Sequence, residues 1–77
     1  MPVKLTLSRS IRHHRKRMSL TQDKAAERSG FRVWTWKQLE SGHANPRLST
    51  LEAVAFTLGV NMADLFTLPE ETLNQEP

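Results

Sequence analysis

Residues 20–42 have the sequence LTQDKAAERSGFRVWTWKQLESG, in which Gly30 separates two short helical patterns. Thr21 is a good N-cap for the first pattern, which predicts a helix over residues 22–29. Gly30 follows where a helix commonly stops, because glycine readily adopts the left-handed conformation of a C-terminal cap. Apolar side chains three positions apart in the second pattern predict a helix over residues 32–41. The stretch therefore predicts two short helices joined by a tight turn.

Further helical patterns flank this central pair. A first helix is predicted over residues 8–18, with Ser8 as its N-cap. After a loop at Pro46, residues 49–52 have the pattern of a capping box that opens a fourth helix, and Asn61 begins a brief fifth one. The sequence therefore predicts a compact all-α domain of five helices. Its predicted parts are an N-terminal arm, the five-helix domain and a frayed acidic tail, over residues 1–7, 8–68 and 69–77.

The composition limits the chemistry that the chain can perform. Its 77 residues are enough for one domain, and it has no cysteine, which excludes a disulfide framework, a thiolate zinc site and a cysteine nucleophile. Nothing in the sequence places a nucleophile beside a base, so we expect no enzyme. The first residues lack the apolar block of a secretory signal, and we expect a soluble, cytoplasmic protein.

Charge is distributed unevenly along the chain. Residues 1–39 contain ten of the eleven lysines and arginines against two acids, whereas residues 40–77 contain one arginine against six acids. The formal charges of the two parts are therefore +8 and −5. A nucleic acid would be attracted to the first part and repelled by the second. A solvated charge run explains the same count, so charge alone leaves both interpretations open.

The order of residues resembles the Xre/Cro-like family of phage and bacterial repressors. The matching positions between Ile11 and Phe66 are Ile11-Arg12, Arg15, Leu20-Thr21-Gln22, Ala26-Glu27-Arg28, Gly30, Leu39-Glu40-Ser41-Gly42, Asn45-Pro46, Thr50-Leu51, Ala55, Leu58-Gly59-Val60 and Asp64-Leu65-Phe66. This resemblance implies a lambda-repressor-like fold with a central helix-turn-helix. It also implies a transcriptional regulator that binds double-stranded DNA and needs no cofactor.

The same resemblance implies that the third helix lies in the major groove, where its first turn and one later residue meet base edges. The corresponding residues here are Arg32, Val33, Trp34 and Gln38. Arg32 would contact either a guanine or a phosphate, and Gln38 could pair with adenine. Val33 and Trp34 are apolar where relatives usually have polar side chains, which favours readout through thymine methyl groups and DNA shape.

Contacts with the sugar-phosphate backbone are expected around the third helix. The resemblance implies that Gln22 binds a phosphate at the start of the second helix, where free N–H groups favour an anion. By the same resemblance, Lys37 would lie beside the base-contacting positions and Thr35 near the sugar-phosphate backbone. Asn45 and Arg47 precede the fourth helix, so Arg47 is a candidate for a phosphate contact or a minor-groove probe.

Two further features are expected to be structural. Arg15 and Glu40 match a family pair that forms a salt bridge between the first helix and the end of the recognition helix. Trp36 occupies a position where the family has a smaller aliphatic residue, whereas Ala25 and Ser29 occupy positions where it usually has leucine. We interpret this as an exchange of volume that places Trp36 in the core.

A dimer is expected, because one recognition helix with few base contacts selects a site weakly. The resemblance implies pairing through the end of the fourth helix and the fifth helix, where Leu65 is expected to close the core of the monomer. The candidate interface residues are Phe56, Met62, Phe66 and Leu68. A dimer covering an inverted repeat would repress by blocking polymerase, in some relatives at its own promoter.

Two alternatives compete with parts of this interpretation. An exposed Val33–Trp34 pair could instead anchor a partner protein, such as a toxin, on an antitoxin-like scaffold. His13 and His14 invite a metal site, but adjacent helical positions point in different directions and no third ligand lies near them. We therefore expect no metal.

Overall fold

A computed structural model of the chain describes residues 3–67, and every regular element in that range is a helix. The predicted all-α class with five helices is confirmed. Residues 1 and 2, Leu68 and the predicted acidic tail lie outside the described range. The helices are α1 (Val3–Arg17), α2 (Gln22–Ser29), α3 (Val33–Ser41), α4 (Leu48–Leu58) and α5 (Met62–Leu65).

Helix α1 begins earlier than predicted. It starts at Val3, so Ser8 is not its N-cap, and residues 3–7 are helical rather than an arm. Leu7 is buried in the core, and the Ser8 hydroxyl donates to the Leu5 carbonyl within the helix. The physical reason is tertiary, because the first turns of α1 pack against the glycine turn that ends α3: a Cβ added to Gly42 would lie 3.6 Å from the Ser8 hydroxyl oxygen.

The central pair of helices has the predicted form. The Thr21 side chain accepts a hydrogen bond from the Lys24 N–H, and Gly30 ends α2 in the left-handed conformation with φ 78°. The Phe31 N–H then donates to the Ala26 carbonyl at 2.8 Å, which completes a Schellman-type cap. Helix α3 starts at Val33, one residue later than predicted, with Arg32 at the N-cap position.

The start of α4 corrects the prediction of a capping box over residues 49–52. Arg47 occupies the N-cap position, and no side chain caps this end of the helix. The Leu51 N–H donates to the Arg47 carbonyl at 3.1 Å, so the first turn closes before Ser49 could serve as a cap. Helix α5 follows Asn61 as predicted, and Asn61 and Asp64 form a capping box in which each caps the other's backbone N–H group.

One core holds the five helices together. Trp36 is completely buried, as predicted, and Leu65 closes the core from α5. Ser29 is joined to Thr57 by a hydrogen bond of 2.7 Å between their hydroxyl groups, which links α2 to α4. The buried apolar residues are Leu7, Ile11, Leu20, Ala25, Ala26, Trp36, Leu39, Leu51, Val54, Ala55, Leu58 and Leu65.

Candidate nucleic-acid interface

Helix α3 has one buried face and one exposed face. Trp36, Leu39 and Glu40 are buried, as expected for residues three and four apart on one side of a helix. On the other side, Trp34 is 66% exposed and Lys37 is exposed. An indole with two thirds of its surface in water is unusual for so large a side chain, so the outer face of α3 is suited to contact another molecule.

A cleft of about 620 Å³ lies between α3 and the loop that leads to α4. It brings together four of the residues predicted to contact DNA, namely Trp34, Thr35, Asn45 and Arg47. Trp34 and Thr35 come from the first turn of α3, whereas Asn45 and Arg47 come from the loop and the start of α4. We name this feature the α3–α4 cleft.

Helices α3 and α4 begin differently from α2 and α5. Thr21 and Asn61 cap α2 and α5 with their side chains, but no side chain caps the start of α3 or α4. The N-cap positions of α3 and α4 carry the exposed arginines Arg32 and Arg47. Each start therefore combines N–H groups without a side-chain cap, the positive end of a helix dipole and a cation.

The exposed charges of the segment that contains α3 are positive, because its one acid is buried. Glu40 is the only acid between Glu27 and Glu52 in the sequence, and its side chain is 1% exposed. The whole segment lies within the described residues. Its four cations are exposed, namely Arg28, Arg32, Lys37 and Arg47. Within this segment a polyanion would therefore meet exposed cations and no exposed carboxylate.

The buried Glu40 carboxylate binds several side chains at once. The structure contains the pair predicted from the resemblance, because Arg15 donates to Glu40 from Nε at 2.5 Å and from Nη2 at 3.0 Å. Arg15 also donates from Nη1 to the Leu20 carbonyl at 2.8 Å. The buried indole of Trp36 donates to the same carboxylate at 2.5 Å. This group fixes α3 to α1 and to the start of α2.

Gln22 and Arg12 also lie against the Glu40 carboxylate. The Gln22 side chain donates to Glu40 Oε1 at 3.2 Å, so the residue predicted to bind a phosphate is oriented by this carboxylate. Arg12 Nε lies 3.5 Å from the same oxygen while its side chain stays 55% exposed. The contacts of Arg12 and of the Trp36 indole N–H with Glu40 were not predicted from the sequence. Their signal was the spacing, since Arg12 with Arg15, and Trp36 with Glu40, share helix faces.

The ionisation of Glu40 follows from these partners. Burial raises the pKa of its carboxyl, but hydrogen bonds from Arg15, Trp36 and Gln22, together with the charge of Arg15, lower it by more. The pKa of Glu40 therefore lies below its ordinary value of 4.5. The carboxylate stays charged at neutral pH and holds its donors in place.

A family model described as a helix-turn-helix domain matches residues 6–68 of the chain. The chain belongs to this helix-turn-helix family. A protein of Methanothermobacter thermautotrophicus, named an uncharacterized HTH-type transcriptional regulator, is 40% identical over 62 residues, which are 79% of this chain and 90% of that protein. The immunity repressor protein of Bacillus phage phi105 is 38% identical over 72 residues, which are 94% of this chain and 49% of the repressor.

The solved structures agree with this family. The crystal structure of a hypothetical transcription factor from Neisseria has a TM-score of 0.85 and 25% identity, over 97% of this chain and 86% of that one. The resemblance to Xre/Cro-like repressors and the lambda-repressor-like fold predicted from it are confirmed.

The residues predicted for a dimer interface of this helix-turn-helix chain differ in exposure. Phe56 on α4 is 88% exposed, and Phe66, directly after α5, is also exposed. Met62 is partly buried and packs against the core. Leu68 lies outside the described residues. Phe56 and Phe66 therefore offer the apolar surface that an interface at this end of the fold would use.

Residues 3–67 contain neither a metal-binding cluster nor a membrane-spanning helix. No group of three or more histidine, cysteine, aspartate or glutamate side chains that could hold a metal ion occurs there. The rings of His13 and His14 meet edge to face with their centroids 5.2 Å apart. None of the helices in this range is both long enough and apolar enough to cross a membrane.

Proposed function

We propose that this chain is a sequence-specific regulator of transcription that binds double-stranded DNA as a homodimer and represses at an inverted-repeat operator. One observation carries the proposal: the exposed face of α3 and the α3–α4 cleft form a surface that carries exposed cations and no exposed carboxylate between Glu27 and Glu52. The transcriptional regulators and the repressor among its relatives support the same function.

In this proposal α3 enters the major groove with its exposed face toward the bases. Trp34 and Gln38 are four residues apart, so they share one side of the helix and reach neighbouring base pairs. Arg32 and Val33 at the start of α3 contact the next bases or a phosphate. Gln38 supplies the polar readout, because its amide can pair with the N6 and N7 groups of adenine.

The sugar-phosphate chain passes along the α3–α4 cleft. Arg47 neutralises a phosphate there, and the uncapped start of α4 directs N–H groups at the same anion. Asn45 and Thr35 line the same cleft and contact the backbone beside Arg47. Lys37 and Gln22 contact the backbone on either side, with Gln22 oriented by its hydrogen bond to Glu40.

Dimerisation supplies the remaining affinity and the symmetry of the operator. The exposed apolar side chains of Phe56 and Phe66 pair with the same surface of a second copy. The two copies of α3 then lie about 34 Å apart, which is one turn of DNA, over the two halves of an inverted repeat. A dimer that covers such an operator represses by excluding polymerase, and its own promoter is a natural target.

The test is selection of bound duplexes from a randomised pool at moderate salt, followed by affinity measurements on the recovered operator. We expect an inverted repeat with half-sites about one turn apart. Arg47→Ala should weaken binding to all duplexes and reduce the slope of log K against log salt by about 1.8, which is about 0.9 for each copy of Arg47 in the dimer. Gln38→Ala should change the base preference instead.

Arg17→Ala is a matched control for Arg47→Ala. Arg17 lines a separate cleft with Leu58 and Gly59 at the opposite end of α4 from Arg47. That helix has 11 residues and is therefore about 16 Å long, so Arg17 is remote from the α3–α4 cleft. We expect Arg17→Ala to change affinity much less than Arg47→Ala. Recovery of no motif from folded protein, or equal effects of the two variants, would contradict the proposal.

The exposure of Trp34 favours one second candidate, a module that holds a partner protein such as a toxin through Val33 and Trp34. An apolar protein interface should respond little to salt, whereas binding through several phosphates weakens steeply. Salt dependence of the complex therefore separates the two functions.

A further inference from the structure

We propose that Trp34 reads the C5-methyl groups of pyrimidines in the major groove, so that the affinity of this chain for an operator depends on their number and position. The inference deepens the proposed function and rests on it. It concerns the chemistry by which the exposed face of α3 distinguishes one operator from another.

The indole of Trp34 is exposed at the start of α3. Trp34 is the second residue of α3 and is 66% exposed, while Trp36, two residues later, is completely buried. The helical repeat therefore turns Trp34 outward on the side of the helix that carries Gln38. Insertion of α3 into a groove would bring the face or edge of this indole against the base pairs that the first turn of the helix meets.

The base edges in the major groove are mostly polar. Base edges in the major groove present hydrogen-bond donors and acceptors, and their one apolar group is the C5-methyl of thymine. An indole has a large apolar surface and a single N–H donor, so it cannot form the paired hydrogen bonds that identify guanine or adenine. Contact with a methyl group is the interaction by which Trp34 can distinguish base pairs.

The residues near the Trp34 indole include exposed cations. Trp34 lines the α3–α4 cleft together with Arg47, and both Arg32 and Lys37 are exposed on the first turns of α3. A protein partner that covered Trp34 would also have to neutralise these three cations. A DNA duplex does so with its phosphates while it offers methyl groups between them, so DNA fits both the charge and the apolar surface.

A consequence follows for methylated DNA. A C5-methylated cytosine presents the same methyl group at the same place in the groove as thymine. Where a change from thymine to cytosine weakens binding through Trp34, methylation of that cytosine should restore part of the affinity. The chain would then respond to cytosine methylation at those positions of its operator.

The experiment uses the operator recovered by selection, with single thymines replaced by deoxyuridine, which removes only the methyl group. We expect the substitution at the position that Trp34 contacts to weaken binding by the full chain about fourfold, the value for one buried carbon group. The same substitution should not change the affinity of Trp34→Ala. Gln38→Ala should retain the fourfold difference, since it alters a neighbouring polar contact.

The outcomes separate this inference from the function on which it rests. Thermal unfolding should be unchanged in Trp34→Ala, because the side chain is exposed. Equal affinity of the full chain for all thymine and deoxyuridine operators would overturn the inference and leave the proposed function intact. So would a deoxyuridine effect of the same size in Trp34→Ala. Failure of the folded chain to bind any duplex above nonspecific levels would overturn both and direct attention to a protein partner of Trp34.

Discussion

Removing Arg15 alone should destabilise the fold more than removing Arg15 and the charge of Glu40 together. The perturbations are Arg15→Met, Glu40→Gln and the double variant. Arg15→Met leaves a carboxylate that is 99% buried without its main partner, since the Glu40 side chain is only 1% exposed. The double variant removes both charges, and the amide oxygen introduced at position 40 still accepts the hydrogen bond from the Trp36 indole.

The expected magnitudes follow from the geometry of the pair. Arg15 is 11% exposed and makes two hydrogen bonds to the carboxylate, so loss of one partner of this buried pair should cost about 3–5 kcal/mol. A chain of 77 residues has a total stability of roughly 4–12 kcal/mol, so the single variant should be close to unfolding. We expect the double variant to recover about 1–2 kcal/mol relative to Arg15→Met, because no uncompensated charge remains in the core.

Urea unfolding followed by far-UV circular dichroism measures these free energies. Arg12→Met is the matched control, because Arg12 is an arginine near the same carboxylate at 3.5 Å but is 55% exposed. Its removal should cost less than about 1 kcal/mol. A double variant at least as destabilised as Arg15→Met alone would refute the role assigned to the unpaired buried charge.

Three further predictions use single substitutions. Because the folded-state pKa of Glu40 is lowered, its stabilising contribution is complete above pH 4.5 and is lost as the pH falls through the lower folded-state value. Thermal unfolding at a series of acidic pH values should show this loss in the unmodified chain and not in Glu40→Gln. Parallel curves for the two proteins would contradict this prediction. Phe56→Glu should lower the molar mass in light scattering from dimer to monomer without changing the helical content, since the side chain is 88% exposed; an unchanged mass would exclude Phe56 from the interface. Ser19 has φ 56°, so Ser19→Gly should raise the free energy of unfolding by about 1 kcal/mol while Ser19→Ala gives no gain; equal effects of the two changes would show that this backbone is unstrained.

The central helices could be predicted because their ends are determined locally. Thr21 and Gly30 lie at the two ends of α2, where a hydroxyl cap and a left-handed glycine are favoured by interactions within a few residues. The box formed by Asn61 and Asp64 is equally local. Such signals need no knowledge of the rest of the fold, and these three ends agree with the structure.

The start of α1 depends on contacts that the local sequence does not contain. Ser8 is a good N-cap in isolation, but its hydroxyl can also bond to the carbonyl three residues earlier inside a helix. Packing of the first turns of α1 against the turn at Gly42 extends the helix to Val3. A cap residue followed by an apolar pattern therefore marks a position where a helix can start, and tertiary contacts determine whether it does.

The pair of Arg15 and Glu40 was predicted from the family resemblance. The hydrogen bond from Trp36 to Glu40, in contrast, depends on a tryptophan at a position where the family has a smaller aliphatic residue. A tryptophan at position 36 supplies volume to the core, and it also brings an indole N–H to Glu40, four residues further along α3. From the sequence, Trp36 is predicted only to fill volume, since side-chain geometry determines which acceptor its N–H meets. The polar role of Trp36 therefore emerged only from the structure.

In the proposed mode of DNA binding, stability and recognition use opposite faces of α3. The inner face of α3 holds Trp36 and Glu40, which fix the helix to α1 through Arg15. The outer face holds Trp34 and Gln38, and the exposed indole there contributes little to the core. If the outer face reads DNA as proposed, substitutions there should change the DNA sequence that is read while the helix keeps its position. The buried carboxylate and its donors, rather than the outer face, hold α3 in position. An apolar residue such as Trp34 on the outer face therefore does not disturb the position of the helix.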